Sequence, residues 1–97
     1  MQAALNQANL AKDLSEVPIG AVVVKDSQII GYGFNQNISM HSVAAHAEIN
    51  AINQASTFIR NYRLTDCDLY VTVEPCHMCA KAIVDARIKN LYFGALE

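Results

Sequence analysis

Pro75-Cys76-His77-Met78-Cys79 constrains this chain more than any other stretch. Two thiols three positions apart fall on one face of a helix's first turn, where both sulfurs can converge on a single point. Pro75 suits the opening position of that helix, because its missing N–H would have no intrahelical partner and its fixed φ is already helical. Both sulfurs would then sit at the positive end of the helix dipole, which favours the thiolate, the form that ligates a metal. A pair of soft thiolates in a tetrahedral set points to zinc.

Thirty positions upstream of Cys76 the chain reads His46-Ala47-Glu48. His46, Cys76 and Cys79 make three protein ligands, and a three-ligand set leaves the fourth position open, as catalytic zinc requires and structural zinc does not. Glu48 stands next to a ligand without having to be one, so its carboxylate is placed to accept a proton from water and hand it to a substrate. The competing reading is a closed structural site completed by His41 or His77. His77 suits it poorly, since a residue between the two cysteines points away from their shared face. Cys67, the third cysteine, reads as a small buried residue. An odd cysteine count with one C-x-x-C pair fits metal binding in a reducing, cytoplasmic compartment better than a disulfide framework.

With 97 residues the chain forms one domain, 1–97, which by area scaling buries roughly 64% of its unfolded surface. A hydrophobic content of 53% with 16% charged residues excludes a disordered chain. No apolar run approaches a membrane span, and residues 1–14 are broken by Gln2, Asn6, Gln7 and Asn9, unlike the apolar core of a secretion signal. A net charge of −2 gives no general attraction for nucleic acid, so any RNA contact must come from a local group such as Arg60, Arg63, Arg87 and Lys89.

The periodicities predict an α/β domain. Met1, Ala4, Leu5, Ala8 and Ala11 recur at helical spacing, as in a helix lying over a sheet. Val17 to Val24 is almost continuously apolar, as expected of a strand covered on both faces. Lys25-Asp26-Ser27 is a turn, and Gln28 to Phe34 pairs back as a hairpin. Gly31 and Gly33 share one face of that strand, where another backbone can come close or a bulge can form. Asn35 is either a turn residue or a base-reading group, and turn statistics favour the former. After an aperiodic loop, Gln36 to Val43, a second helix is expected from Ala44, with Ala47, Ala51, Ala55 and Phe58 on one face. Leu69 to Val73 is a third strand, Cys76 to about Arg87 a third helix and Leu91 to Phe93 a fourth strand. That order makes a crossover between parallel strands. The outer edge of the fourth strand is expected to be exposed and prone to pairing.

His46-x-Glu48 with Pro75-Cys76-x-x-Cys79 resembles the signature of zinc-dependent nucleobase deaminases, H-x-E…P-C-x-x-C. The blocks Val17-Pro18-Ile19-Gly20-Ala21-Val22-Val23-Val24, Asn61-Tyr62-Arg63-Leu64, Leu69 to Cys76 and Ala86-Arg87-Ile88 further resemble the tRNA-specific adenosine deaminases within the cytidine/deoxycytidylate deaminase superfamily. The resemblance implies a three-layer α/β/α fold with a mixed sheet, and zinc on His46, Cys76 and Cys79. It implies Glu48 as proton shuttle and Asn35 and Ala47 as substrate contacts, which moves Asn35 from turn to base reading. It also implies a homodimer built on the second and third helices and the Arg60 to Leu64 loop. The implied substrate is adenosine at the wobble position of a tRNA anticodon, converted to inosine. One departure stands out, Ser42-Val43 in place of the Asp-Pro common before the histidine, and against the resemblance the 97 residues are expected to be a C-terminally truncated form, without the family's further strand and helices. The alternatives are a guanine- or cytosine-type deaminase of free bases, and a non-enzyme, either a structural zinc domain or an inactive deaminase-like subunit.

Overall fold

A computed structural model describes residues 1–95. The elements are α1 (Gln2–Asp13), β1 (Gly20–Lys25), β2 (Gln28–Phe34), α2 (Ala47–Ile59), β3 (Asp68–Val73), α3 (His77–Asp85) and β4 (Asn90–Ala95). One sheet runs in the order β2-β1-β3-β4. β1 is antiparallel to both its neighbours, and β3 and β4 are parallel, so the sheet is mixed as the sequence predicts. At the β1–β2 turn, Asp26 and Ser27 have φ of 51° and 63°, the left-handed pair of a two-residue hairpin turn whose twist matches the strands it joins.

Helices cover both faces, and small residues set how closely. On one face Gly20 lies so near the backbone of α1 at Ala4 and Ala8 that a methyl group there would collide with it. Consequently α1 buries only its alanines, Ala4, Ala8 and Ala11. Met1 and Leu5, expected on the packed stripe, stay outside it at 40% and 45% exposure, because a contact this close has no room for longer side chains. On the opposite face Gly31 and Gly33 meet the backbone of α2 at Ala51 and Ala47, the close approach that their shared face predicts. A bulge accompanies them in the same strand: Val23 pairs with Gly31 and Val24 with Ile29, which leaves Ile30 as the extra residue.

Several boundaries differ from expectation. β1 starts at Gly20 and not at Val17, since Pro18 has no N–H for the ladder and Val17 is solvent-exposed. α2 starts at Ala47 rather than Ala44, with His46 as its extended N-cap. Its buried stripe ends at Ala55, and the last turn carries Phe58 into solvent at 69% exposure. α3 is shorter than Cys76 to Arg87, and Pro75 precedes the N-cap Cys76 instead of opening the helix. The chain reaches Pro75 still extended from β3, and the turn into the helix falls one residue later.

The core joins Val23, Leu69 and Val71 of the sheet with Ile52, Ala51 and Ala55 of α2 and Ile83 of α3. Leu64 and Cys67 close it from the α2–β3 connection, both fully buried. α2 also fastens the β2 edge, where Tyr32 N–H donates to Gln54 Oε1 (2.7 Å) and Asn50 Nδ2 donates to the Phe34 carbonyl (2.9 Å). At the other edge β4 leaves Leu91, Tyr92 and Phe93 partly exposed, with Tyr92 stacked on Tyr70 at 4.8 Å between ring centroids.

Candidate metal centre

The first residues of α2 and α3 meet at the C-terminal end of β3. His46 and Cys76 are the N-caps of the two helices, and Cys79 lies in the first turn of α3. His46 Nδ1 stands 3.6 Å from Cys76 Sγ and 3.4 Å from Cys79 Sγ. A tetrahedral zinc with Zn–N near 2.05 Å and Zn–S near 2.3 Å would hold nitrogen and sulfur about 3.6 Å apart. The donor set therefore fits zinc in both chemistry and spacing. Among the described residues these three form the cluster able to hold a metal ion, and neither His41 nor His77 joins it. Both of those histidines are exposed, which removes the structural argument for a closed four-ligand site.

Protonation runs against one expectation. The dipole of α3 favours a thiolate, yet the Cys79 thiol is pushed well above its ordinary pKa, first by burial and then by the neighbouring Glu48 carboxylate and Cys76. Within a single turn of helix the dipole supplies only about half a unit charge. Enclosure by apolar neighbours and an adjacent acid outweigh it. Without a cation Cys79 is a thiol, and zinc must displace its proton.

Glu48 lies in the first turn of α2 and is 4% exposed. With Asn35, His46 and Cys76 it lines a cavity of about 100 Å³, closed further by Ile19, Val73 and Glu74. Asn35 is buried at 5% exposure, and its Oδ1 accepts the Ala47 N–H at 2.7 Å. Its own backbone N–H donates to the Ile19 carbonyl at 3.1 Å. Asn35 thus ties the end of β2 to the start of α2, and with Oδ1 committed, its NH₂ is the group that can address a ligand. Ala47 is fully buried and gives its N–H to Asn35.

Sequence reasoning missed Glu16. It reads as an ordinary surface acid after a helix, yet it is buried, and its carboxylate accepts N–H groups from Ile38 (3.1 Å) and Ser39 (2.7 Å). No spacing rule signals a bond across 22 and 23 positions. Ile19, Val73 and Glu74 were also absent from the expected site, because a cavity wall formed by strand ends has no sequence signature.

A mixed sheet between helices, with His/Cys/Cys at two helix starts and a glutamate beside the histidine, defines the zinc-dependent deaminase class. The chain belongs to this family: residues 1–95 match the cytidine and deoxycytidylate deaminase zinc-binding region. Among curated relatives, the tRNA-specific adenosine deaminase of Buchnera aphidicola subsp. Schizaphis graminum is 50% identical over 95 residues, covering 98% of this chain and 63% of that protein. The tRNA-specific adenosine deaminase of Haemophilus influenzae is 51% identical over 98 residues, covering 100% of this chain and 57% of that protein. The chain therefore spans about 60% of the length of the curated relatives it matches. Of solved structures, one from work on A-to-I editing by tRNA:A34 deaminases at the wobble position superposes with a TM-score of 0.98 at 47% identity, covering 100% of this chain and 70% of that one. A guanine deaminase from Bacillus subtilis superposes with a TM-score of 0.95 at 38% identity, covering 98% of this chain and 61% of that one. No helix among the described residues is long and apolar enough to cross a membrane.

Proposed function

We propose that this chain carries the catalytic centre of a tRNA-specific adenosine deaminase, which hydrolyses the exocyclic amine of the wobble adenosine and leaves inosine. The observation that carries the reading is the convergence of Asn35, His46, Glu48 and Cys76 on one cavity. The choice of adenosine in tRNA rests on the relatives' activities, at about half identity over almost the whole chain.

Bound by His46, Cys76 and Cys79, zinc supplies Lewis acidity that brings the pKa of water from 15.7 to about 7. Glu48 accepts one proton of the attacking water and delivers it to the ring nitrogen as the C–O bond forms at the amine-bearing carbon, then carries the oxygen's second proton to the amine as the C–N bond breaks and ammonia leaves. Its burial excludes bulk water, which would otherwise compete as the proton acceptor. Asn35 offers NH₂ donors to an acceptor on the base, while its Oδ1 stays on Ala47, so that Ala47 acts on the substrate through Asn35. A base in an RNA loop enters such a cavity once turned out of its stack, which costs less than unpairing a duplex.

The same reading places the protein in the cytoplasm, where tRNA is processed and thiols stay reduced. It also makes the protein a homodimer, with α2, α3 and the Arg60 to Leu64 loop at the interface. Phe58, Tyr62 and Val84 support that interface, since all three are more than 60% exposed on those elements.

A second reading is deamination of free guanine, favoured by the close superposition on the Bacillus subtilis enzyme. The discriminating experiment incubates the zinc-loaded protein with an anticodon stem-loop and, separately, with guanine and cytosine, and measures ammonia and inosine. Inosine in the loop, with salt-sensitive binding from phosphate contacts, is the expected result. Rapid turnover of guanine without RNA affinity transfers the assignment to the free-base reading.

A further inference from the structure

Glu16 is an acid buried outside the metal site that no step above uses. It follows α1, and the helix end holds it firmly: Ser15 is left-handed at φ 59°, and Glu16 N–H donates to the Ala11 carbonyl at 2.9 Å. Each carboxylate oxygen takes one amide of the distant loop, Oε1 from Ile38 at 3.1 Å and Oε2 from Ser39 at 2.7 Å. Burial alone would raise the carboxyl's pKa, but the Ser39 and Ile38 amides and the Ser39 hydroxyl outweigh it and hold the group below its ordinary value. The ionised form is the one that accepts both amides at once.

The gripped loop is a unit. Its base is closed by Gln36 N–H donating to the Ala45 carbonyl at 2.9 Å. Inside, Asn37 Nδ2 donates to the carbonyls of Ser42 (2.9 Å) and Val43 (3.1 Å), and Ser42 N–H returns to the Asn37 carbonyl at 3.1 Å. The residues bracketing this unit are Asn35 and His46, one lining the cavity and the other a metal ligand. A loop so cross-linked transmits a displacement of Ile38 and Ser39 to both of its ends.

We propose that Glu16 is a positioning residue for the metal centre. By anchoring the Gln36–Ala45 loop to the end of α1, it fixes where His46 Nδ1 and Asn35 stand relative to Cys76 and Cys79. The inference rests on the metal site and not on the base deaminated, so it stands or fails apart from the tRNA assignment.

The test uses Glu16→Gln, which keeps the side chain's shape and turns one acceptor into an NH₂ facing an N–H. The protein is loaded with Co²⁺, whose ligand-field and thiolate charge-transfer bands report the ligand set. Amide exchange at Ile38 and Ser39 should quicken about tenfold. Co²⁺ affinity should fall about tenfold, the lower end for outer-shell partners, with shifted bands. Ser39→Pro, which deletes one donor from the exposed side of the loop, should act in the same direction if Glu16→Gln folds poorly. Ala8→Gly, a destabilising change on α1 away from the loop, should leave affinity and bands at wild-type values. Faster exchange with unaltered Co²⁺ affinity and bands would make Glu16 a fastening of the loop alone and overturn the proposal. Unaltered exchange at Ile38 and Ser39 would overturn it as well.

Discussion

The proposed function divides the chemistry between three ligands and a proton carrier, whose contributions are separable. Glu48→Gln keeps the size of the side chain and all three metal donors, and removes the ability to carry a proton. Zinc content and melting temperature should stay near wild type while deamination falls by at least about 100-fold, the range of a positioned acid–base group. Unchanged turnover would remove Glu48 from the mechanism. His46, Cys76 and Cys79 were legible as a metal cluster because ligand chemistry is written in residue type and spacing, and Glu48 lines the adjoining cavity. The protonation of Cys79 was not, since it depends on enclosure that only the folded chain creates. Burial and the neighbouring Glu48 carboxylate raise the pKa of Cys79 and favour its thiol form, so metal binding must release that proton. Zinc affinity should therefore strengthen as pH rises, by about tenfold per unit for each proton released, with matching acidification of a weakly buffered solution. An affinity independent of pH between 6 and 8 would contradict this.

At the scale of elements, three glycines set the distances between layers. Gly33→Ala would drive a methyl group into the backbone of α2 at Ala47 and Ala51, and Ala47 is the residue whose N–H holds Asn35. Backbone cannot yield as a flexible side chain can, so the change should cost about 1–3 kcal/mol, the usual range for overpacking. Chemical denaturation measures it, and a neutral effect would contradict the close packing. Gly31 and Gly33 were visible in the sequence as a shared strand face, though which helix comes close was not, and Gly20 carried no such signal. Nor was the narrow stripe of α1: helical spacing marks Met1 and Leu5 as equivalent to Ala4 and Ala8, and only the contact with Gly20 separates them. Helix starts were off by one to three residues because capping, not periodicity, decides them, and both caps here are metal ligands.

For the whole molecule, the parallel β3–β4 pair and the placement of the site at strand ends follow from a strand–helix–strand pattern that the sequence carries openly, whereas the β2-β1-β3-β4 order, with β1 antiparallel to β3, came only from the folded chain. Association is not written in the same way, because interface residues resemble any exposed apolar side chain. Phe58, Tyr62 and Val84 on α2, the 60–64 loop and α3 predict a dimer at micromolar concentration by light scattering, weakened by Tyr62→Ser. A monodisperse monomer would contradict that interface. The arrangement on which all else depends is the open three-ligand centre. X-ray absorption of the zinc-loaded protein measures it directly: two sulfurs near 2.3 Å, one imidazole nitrogen near 2.0 Å and one exchangeable light donor are expected. Two sulfurs with two imidazoles, or a spectrum unaffected by His46→Ala, would contradict it.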